Sequence, residues 1–269
     1  MPASQRKTSP APVAIIMAAG KGTRMQSDLP KVVHEVAGRP MVSFVVDACL
    51  QAGCTRVVVI VGYQQERVRA ALGGYGGRLE FAVQSEQLGT GHAVGCALGV
   101  LAELAPENPV LVLAGDGPLI RSETLTALLD THTSSQACAT LATSRLDDPS
   151  GYGRIVRNSD GKFTAIVEEK NASPEQKTIC EINPSYYCFA RKPLQDALAK
   201  VGRNDLTGEY YITDVPSIML SQGQRVEVVD AVPPEDVLSI NTLAQLAAVD
   251  SVLRVRLAGA SSSSAEISS

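Results

Sequence analysis

Five apolar residues, Val13 to Met17, run without a polar break and stop at Ala18-Ala19-Gly20. A short unbroken apolar run marks a strand covered on both faces, since a half-buried strand alternates. Similar runs follow within Arg56 to Gly62 and at Val110 to Leu113, and Leu79 to Val83, interrupted by Glu80, reads as a further strand. Helical periodicity lies between them. Pro40 opens an apolar-periodic helix (Phe44, Val45, Ala48, Cys49), and Gly53 fits just past its end. Gln64 to Leu72 and Thr90 to Leu104 read as helices, and Ser122 to Thr131 reads as one capped by Ser122. This alternation predicts an α/β chain with a parallel, doubly wound sheet and helices on both faces.

The pattern changes after residue 150. Gly151 to Arg157, the turn Asn158-Ser159-Asp160-Gly161, and Lys162 to Glu168 predict a β-hairpin. A strand is expected near Ile182 to Phe189, helices near 193–200 and 210–221, a strand at 226–230, and a helix from Asn241 to about Leu257. No linker or repeat interrupts the chain. The expected organisation is one mixed-sheet domain over 13–257 with a β-rich lobe inserted late. Polar residues 1–12 and the serine-rich 258–269 are expected to be disordered tails.

The strongest chemical signal follows the first strand. Met17-Ala18-Ala19-Gly20-Lys21-Gly22-Thr23-Arg24-Met25, with Pro30-Lys31 behind it, joins glycines to three cations, Lys21, Arg24 and Lys31. Glycine lets backbone N–H groups approach phosphate oxygens, and Arg and Lys add charge-assisted bonds. The spacing is not that of a P-loop, and a dinucleotide fingerprint needs glycine where Met25 stands. An ordinary tight turn is the alternative; the three cations favour a phosphate site.

Composition narrows the ligand. The 269 residues carry a net charge of −4, with a pI of about 5.5. That balance argues against a nucleic-acid coat or an anionic membrane surface, so the cationic loop suits a small anion. No apolar run reaches membrane-span length and no signal peptide is evident, which predicts a cytoplasmic protein. The six cysteines show no CxxC spacing and read as buried reduced thiols; His34, His92 and His132 form no metal pattern.

In doubly wound sheets, ligands sit beyond the carboxyl ends of strands, where strand order reverses. Three segments qualify: 18–24, Gln84 to Gly91, and Gly115-Asp116-Gly117-Pro118. Gln84 and Gln87 carry donors and acceptors suited to a nucleobase edge, or are solvated loop residues. Asp116 is suited to a divalent cation, or is a turn-former before Gly-Pro. Asn241 reads from the residues alone as a helix N-cap.

Taken together, these segments resemble the sugar-1-phosphate nucleotidylyltransferases. Ala18-Ala19-Gly20-x-Gly22-Thr23-Arg24-Met25 is the run of the wider superfamily. Four further segments are similar to the uridylyltransferase half of the bacterial bifunctional enzymes that make UDP-N-acetylglucosamine. They are Asp28 to Val32, Gln84 to Ala93, Asp147 to Ile155 and Gly208 to Asp214, and they occur in the family's order. The resemblance covers about Val13 to Arg256. It implies a Rossmann-like nucleotide-diphospho-sugar transferase fold, a mixed but mostly parallel sheet with a small β-rich sugar-binding lobe. It also implies transfer of UMP from UTP to N-acetylglucosamine-1-phosphate with Mg²⁺ as cofactor, in amino-sugar metabolism for cell-envelope precursors.

The resemblance further implies roles for individual residues. Ala18, Ala19, Gly20, Gly22, Thr23, Gln84, Gln87, Gly89, Thr90 and Gly115 would surround the nucleotide. Arg24 and Lys31 would hold its phosphates and, with Asp116, form the catalytic set. Gly153, Glu168 and Asn183 would bind the sugar, and Asp116 and Asn241 the metal. Three residues at two sites depart from the family pattern. Ala114 stands in place of the tyrosine of Tyr-Gly-Asp, and Asn183-Pro184-Ser185 in place of Asn-Thr-Gly. Pro184 restricts Asn183 and removes a backbone donor, which predicts looser sugar discrimination. The family's acetyltransferase β-helix has no hexapeptide counterpart after Asn241, so a monomer or weak dimer without acetyl transfer is expected. The alternatives are a nucleotidylyltransferase for another hexose-1-phosphate and a catalytically silent nucleotide-sugar-binding protein.

Overall fold

The computed structural model describes residues 10–266, with side chains through residue 259; the expected tail segments 1–9 and 267–269 lie outside the described residues. The first half alternates as its pattern predicts. It runs β1 (Val13–Met17), β2 (Glu35–Val36), β3 (Arg39–Pro40), α1 (Met41–Gln51), β4 (Arg56–Val61), α2 (Gln65–Ala71), β5 (Leu79–Val83), α3 (Thr90–Leu98), β6 (Pro109–Ala114) and α4 (Ser122–Ser135). The second half adds β7 (Ala139–Arg145), β8 (Gly153–Arg157), β9 (Phe163–Val167), α5 (Pro174–Lys177), β10 (Glu181–Asn183), β11 (Tyr186–Ala190), α6 (Arg191–Leu198), α7 (Val215–Ser221), β12 (Val226–Asp230) and α8 (Leu243–Glu266).

The apolar runs are explained by two cores, one on each face of the sheet. On β1, Ala14 and Ile16 join one core while Val13 and Ile15 join the other. The same alternation divides Val57, Val59 and Val61 from Val58 and Ile60 on β4, and Leu111 and Leu113 from Val110 and Val112 on β6. Helices α1, α4 and α8 close the first core through Val45, Leu128 and Leu253. Helices α3, α6 and α7 close the second through Val94, Leu194 and Met219. Each such aliphatic side chain stabilises the fold by roughly 1.5–3 kcal/mol on burial.

The main sheet of the described residues has ten strands in the order β5-β4-β1-β6-β11-β7-β10-β8-β9, with β12 pairing β7. Strands β5, β4, β1 and β6 are parallel, and β11 is antiparallel to β6. The chain leaves β1 towards β4 and β5, then returns to β6 on the other side. The reversal opens a crevice at the carboxyl ends of β1 and β6, where ligands bind in such sheets. Hairpin β8–β9 forms the β-rich lobe and pairs through β10.

Several expectations are corrected. The strand expected at 182–189 is two strands, broken at Pro184-Ser185, where proline removes a donor and Ser185 takes a left-handed φ of 66°. At this break the sheet changes partner, since β11 pairs β6 while β10 pairs β8. Strand β7 escapes sequence reading because Thr140, Thr143 and Ser144 make it look polar, although all three are fully buried. Ser122 does not cap α4: Arg121 occupies that position and the Ser122 hydroxyl bonds Glu123. The helix expected over 90–104 ends at Leu98 and tightens into a 3₁₀ turn, Gly99–Leu101. The helix expected over 210–221 begins with a 3₁₀ turn, Ile212–Asp214, before α7. Helix α8 begins at Leu243 and runs to Glu266, through most of the segment expected as a C-terminal tail.

Candidate active site

Two clefts meet over the carboxyl ends of β1 and β6. One, about 330 Å³, is lined by Met17 to Gly20, Lys31, Gln84, Gln87, Gly89, Thr90 and Glu209. The other, about 250 Å³, is lined by Arg24, Ser150 to Gly153, Glu168, Asn183, Pro184, Ser239, Asn241 and Gln245. Ala114, Asp116 and Ser185 line both clefts. A wider depression of about 820 Å³ around Pro12, Pro109 and Arg225 lies at the amino ends of β1 and β6, away from the glycine loops.

The first cleft is shaped by backbone. The β1 loop is fixed to its neighbours, with Ala18 N donating to Ile60 O at 2.9 Å and Tyr63 N to Ala19 O at 3.1 Å. Gly22 has a φ of 67°, and a Cβ there would come within 2.5 Å of the Lys31 Cβ. Glycine at 22 therefore lets the loop fold onto Lys31. Gly22, Thr23 and Gly115, expected around the nucleotide, do not line either cleft. Gly22 packs on Lys31, Thr23 opens a 3₁₀ turn, and Gly115 N donates to Met17 O at 3.0 Å, tying the ends of β6 and β1 together. Gly89, at a φ of 99°, packs on the backbone of Tyr210. Gln84 is buried, and its amide nitrogen donates to Gly89 O at 3.1 Å. The Thr90 hydroxyl is engaged in structure, accepting from Ile212 N at 3.1 Å.

Charge converges at the junction of the clefts. The Lys31 ammonium donates to the Asp116 carboxylate and, at 3.1 Å, to Asn241 Oδ1. Arg24 Nη2 donates to the same Asn241 oxygen at 2.8 Å. The reading of Asn241 as a helix cap is therefore corrected. Thr242 does the capping, its hydroxyl accepting from Gln245 N at 3.2 Å, and Asn241 is free to turn into the site. Ile240 N donates to the Asp116 carbonyl at 3.0 Å, which fastens this segment to the end of β6.

Asp116 and Asn241 share one cationic atom, Lys31 Nζ, so an anionic and a neutral oxygen already face a common positive charge. An oxygen-only pair of this kind fits a hard divalent cation that takes its remaining ligands from substrate phosphates and water. Among the described residues there is no cluster of three or more His, Cys, Asp or Glu, so the protein by itself does not cage a metal.

The second cleft carries the sugar candidates. Half-buried Glu168 accepts from the Thr213 hydroxyl at 3.0 Å. Burial raises its pKa, and the nearby Asp214 and Glu209 charges add to the rise. Asn183 is buried, with its oxygen accepting from Ser185 N at 3.1 Å and its nitrogen donating to Tyr187 OH at 2.6 Å. Gly153 lies against Glu168 and Asn183, where a Cβ would sit 3.7 and 3.6 Å from their side chains. Glu209, Tyr152 and Gln245 also line the clefts and were given no role from sequence, whereas Ser185 was named there only as a departure from the family pattern. Glu209 and Tyr152 fall inside segments that were singled out; Gln245 carried no such signal.

The model of the MobA-like NTP transferase domain matches residues 14–212. The bifunctional protein GlmU of Geobacter metallireducens is 45% identical over 244 residues, covering 91% of this chain and 51% of its own length. GlmU of Carboxydothermus hydrogenoformans is 48% identical over 233 residues, 87% of this chain and 51% of its own length. The chain thus spans about half the length of the curated relatives it matches. Among solved structures, a Bacillus anthracis protein described as a glucose-1-phosphate thymidylyltransferase superposes with a TM-score of 0.74 at 21% identity, over 91% of this chain and 96% of that one. A UDP-glucose pyrophosphorylase superposes with a TM-score of 0.72 at 15% identity, over 91% and 99%. At these identities the two structures establish the Rossmann-like nucleotide-diphospho-sugar transferase fold. With the sequence match over most of its length and that fold, the chain belongs to the MobA-like NTP transferase domain family, the nucleotidyltransferase class its motifs implied.

Proposed function

We propose that this chain transfers UMP from UTP to N-acetylglucosamine-1-phosphate, releasing pyrophosphate. The observation that carries the reading is the meeting of Arg24, Lys31, Asp116 and Asn241 at the junction of two clefts, one beside the glycine loop and one beside the β-rich lobe. Two polyanions that must react repel each other and need their charges neutralised where they meet, and this junction is where an α-phosphorus would meet a sugar phosphate.

The reaction asks little covalent chemistry of the protein. The sugar phosphate already carries an anionic oxygen, so its in-line attack on the α-phosphorus needs no general base. Positioning and charge neutralisation supply the rate, as in other phosphoryl transfers. Arg24 and Lys31 would neutralise the triphosphate. Gln84 and Gly89 would present polar groups to the base. Glu168 and Asn183 would orient the sugar by hydrogen bonds to its hydroxyl and amide groups. Asp116 and Asn241 would hold Mg²⁺, which when bound adds Lewis-acid stabilisation of the charge on the phosphates.

Pyrophosphate release over a panel of sugar-1-phosphates and nucleoside triphosphates tests the reading. The expected result is fastest turnover with UTP and N-acetylglucosamine-1-phosphate. No turnover with any pair, in protein shown to be folded, would leave a nucleotide-sugar-binding protein. Preference for another sugar would trace to Pro184-Ser185, the departure that lines the second cleft.

A further inference from the structure

Gln84 follows β5 and lines the first cleft, and its amide nitrogen has two partners within the protein. The amide nitrogen lies 3.1 Å from Gly89 O and 3.1 Å from His92 Nδ1. A carbonyl can only accept, so the Gly89 contact fixes which end of the amide is nitrogen. His92 Nδ1, facing the same NH₂ group, must then be an acceptor. The ring hydrogen then belongs on Nε2, whose neighbour is Cys96 Sγ at 4.0 Å, one turn along α3. With both hydrogens committed, the amide has only its oxygen left for the cleft.

We infer that His92 is a positioning residue for nucleobase selection: by accepting from Gln84 it fixes the Gln84 amide with its oxygen towards the base, so that the site takes uracil and refuses cytosine. This rests on the proposed reading of the first cleft as the nucleotide site. Uracil N3 carries a hydrogen that an amide oxygen accepts. Cytosine N3 is a lone pair, which the same oxygen repels. Sites that meet a base or side chain with a fixed polar partner discriminate strongly, because the wrong ligand leaves a buried group unpaired.

Two experiments on the full chain test this. The first measures Kd for UTP and CTP by calorimetry, with kcat for UTP alongside. His92→Leu removes the acceptor and is expected to lower the UTP preference by about tenfold or more, the scale of one misdirected buried hydrogen bond. The kcat for UTP should stay within about threefold of wild type. His92→Asn, whose side-chain oxygen can accept from Gln84, is expected to restore most of the preference. An unchanged preference in His92→Leu, or a fall in kcat at constant preference, overturns the inference. The second reads the wild type by nitrogen-15 NMR, so it does not depend on a variant folding. The expected tautomer carries hydrogen on Nε2; hydrogen on Nδ1 overturns the inference. A wild type that binds UTP over CTP yet releases no pyrophosphate would defeat the catalytic reading while leaving the role of His92 to these measurements. A wild type that binds neither nucleotide would defeat both.

Discussion

Arg24 and Asn241 are 217 residues apart in sequence, yet Arg24 Nη2 donates to Asn241 Oδ1 at 2.8 Å. The contact joins the glycine loop after β1 to the segment before α8. Because Lys31 donates to the same oxygen at 3.1 Å, one neutral amide holds two cations at the cleft junction.

This sharing separates Asn241 from its neighbour Thr242. Asn241→Ala should lower kcat/KM for UTP by tenfold or more, because the two cations proposed to hold the phosphates lose their common anchor, a loss of the size expected for misplaced charged groups. Its melting temperature should change little. Thr242→Ala should instead cost about 1 kcal/mol of stability, the usual loss of a helix cap, with activity retained. Paired thermal melts and steady-state kinetics check both; equal effects from the two variants would restore Asn241 to a merely structural role.

Asp116 supplies the only carboxylate among the site's proposed metal-binding groups. Asp116→Asn should lower kcat by about a hundredfold or more, as removal of one preorganised electrostatic group does elsewhere. Circular dichroism should report an intact fold. Activity within threefold of wild type would mean that Asp116 only shapes the turn before Gly117-Pro118.

Acid sensitivity should include a contribution from His132. The side chain is buried, and burial lowers its pKa from 6.5 to about 4. The unfolded chain therefore binds a proton that the folded chain refuses between these values. Its stabilising contribution is complete above pH 6.5 and is lost as pH falls towards 4, amounting to up to about 3 kcal/mol. His132→Asn keeps a polar group for Thr140, which lies 3.0 Å from Nδ1. Urea unfolding at pH 7 and pH 4 should show a smaller acid loss in the variant, by about that amount. An equal loss would place the acid sensitivity elsewhere.

Ser185 holds a φ of 66°, a region that costs a non-glycine residue about 1 kcal/mol or more. Ser185→Gly should therefore raise stability by roughly that amount, less the added freedom glycine gives the unfolded chain. Denaturant midpoints measure it, and a destabilised variant would mean that the hydroxyl makes a contact worth more than the strain.

The same Pro184-Ser185 step predicts loose sugar choice. Ser185 N, not a ligand, donates to the Asn183 side-chain oxygen at 3.1 Å, so part of the expected sugar-binding capacity is used internally. The ratio of kcat/KM for N-acetylglucosamine-1-phosphate over glucose-1-phosphate should stay below about a thousand, whereas a site that fully pairs a substrate group reaches ~10⁴ or more.

The amino-acid sequence alone determined β1, β4 and β6 and the loop after β1. Val13 to Met17 and its counterparts are apolar at every position because both sheet faces are covered, and a glycine-rich cationic loop is a local pattern. The same locality made β7 illegible. Thr140 and Thr143 read as polar, and only packing of β11 and β12 on either side of them turns that stretch into a buried central strand. Asn241 could be read from its neighbours only as a cap. Its place beside Arg24 and Lys31 depends on β6 and the segment before α8 coming together through Ile240 and Asp116. Ser185 likewise became a residue of both clefts only because the sheet changes partner at Pro184. Periodicity and turn chemistry are written within a few residues. A site assembled from strand ends and loops far apart in sequence exists only once the sheet order has brought them to one edge.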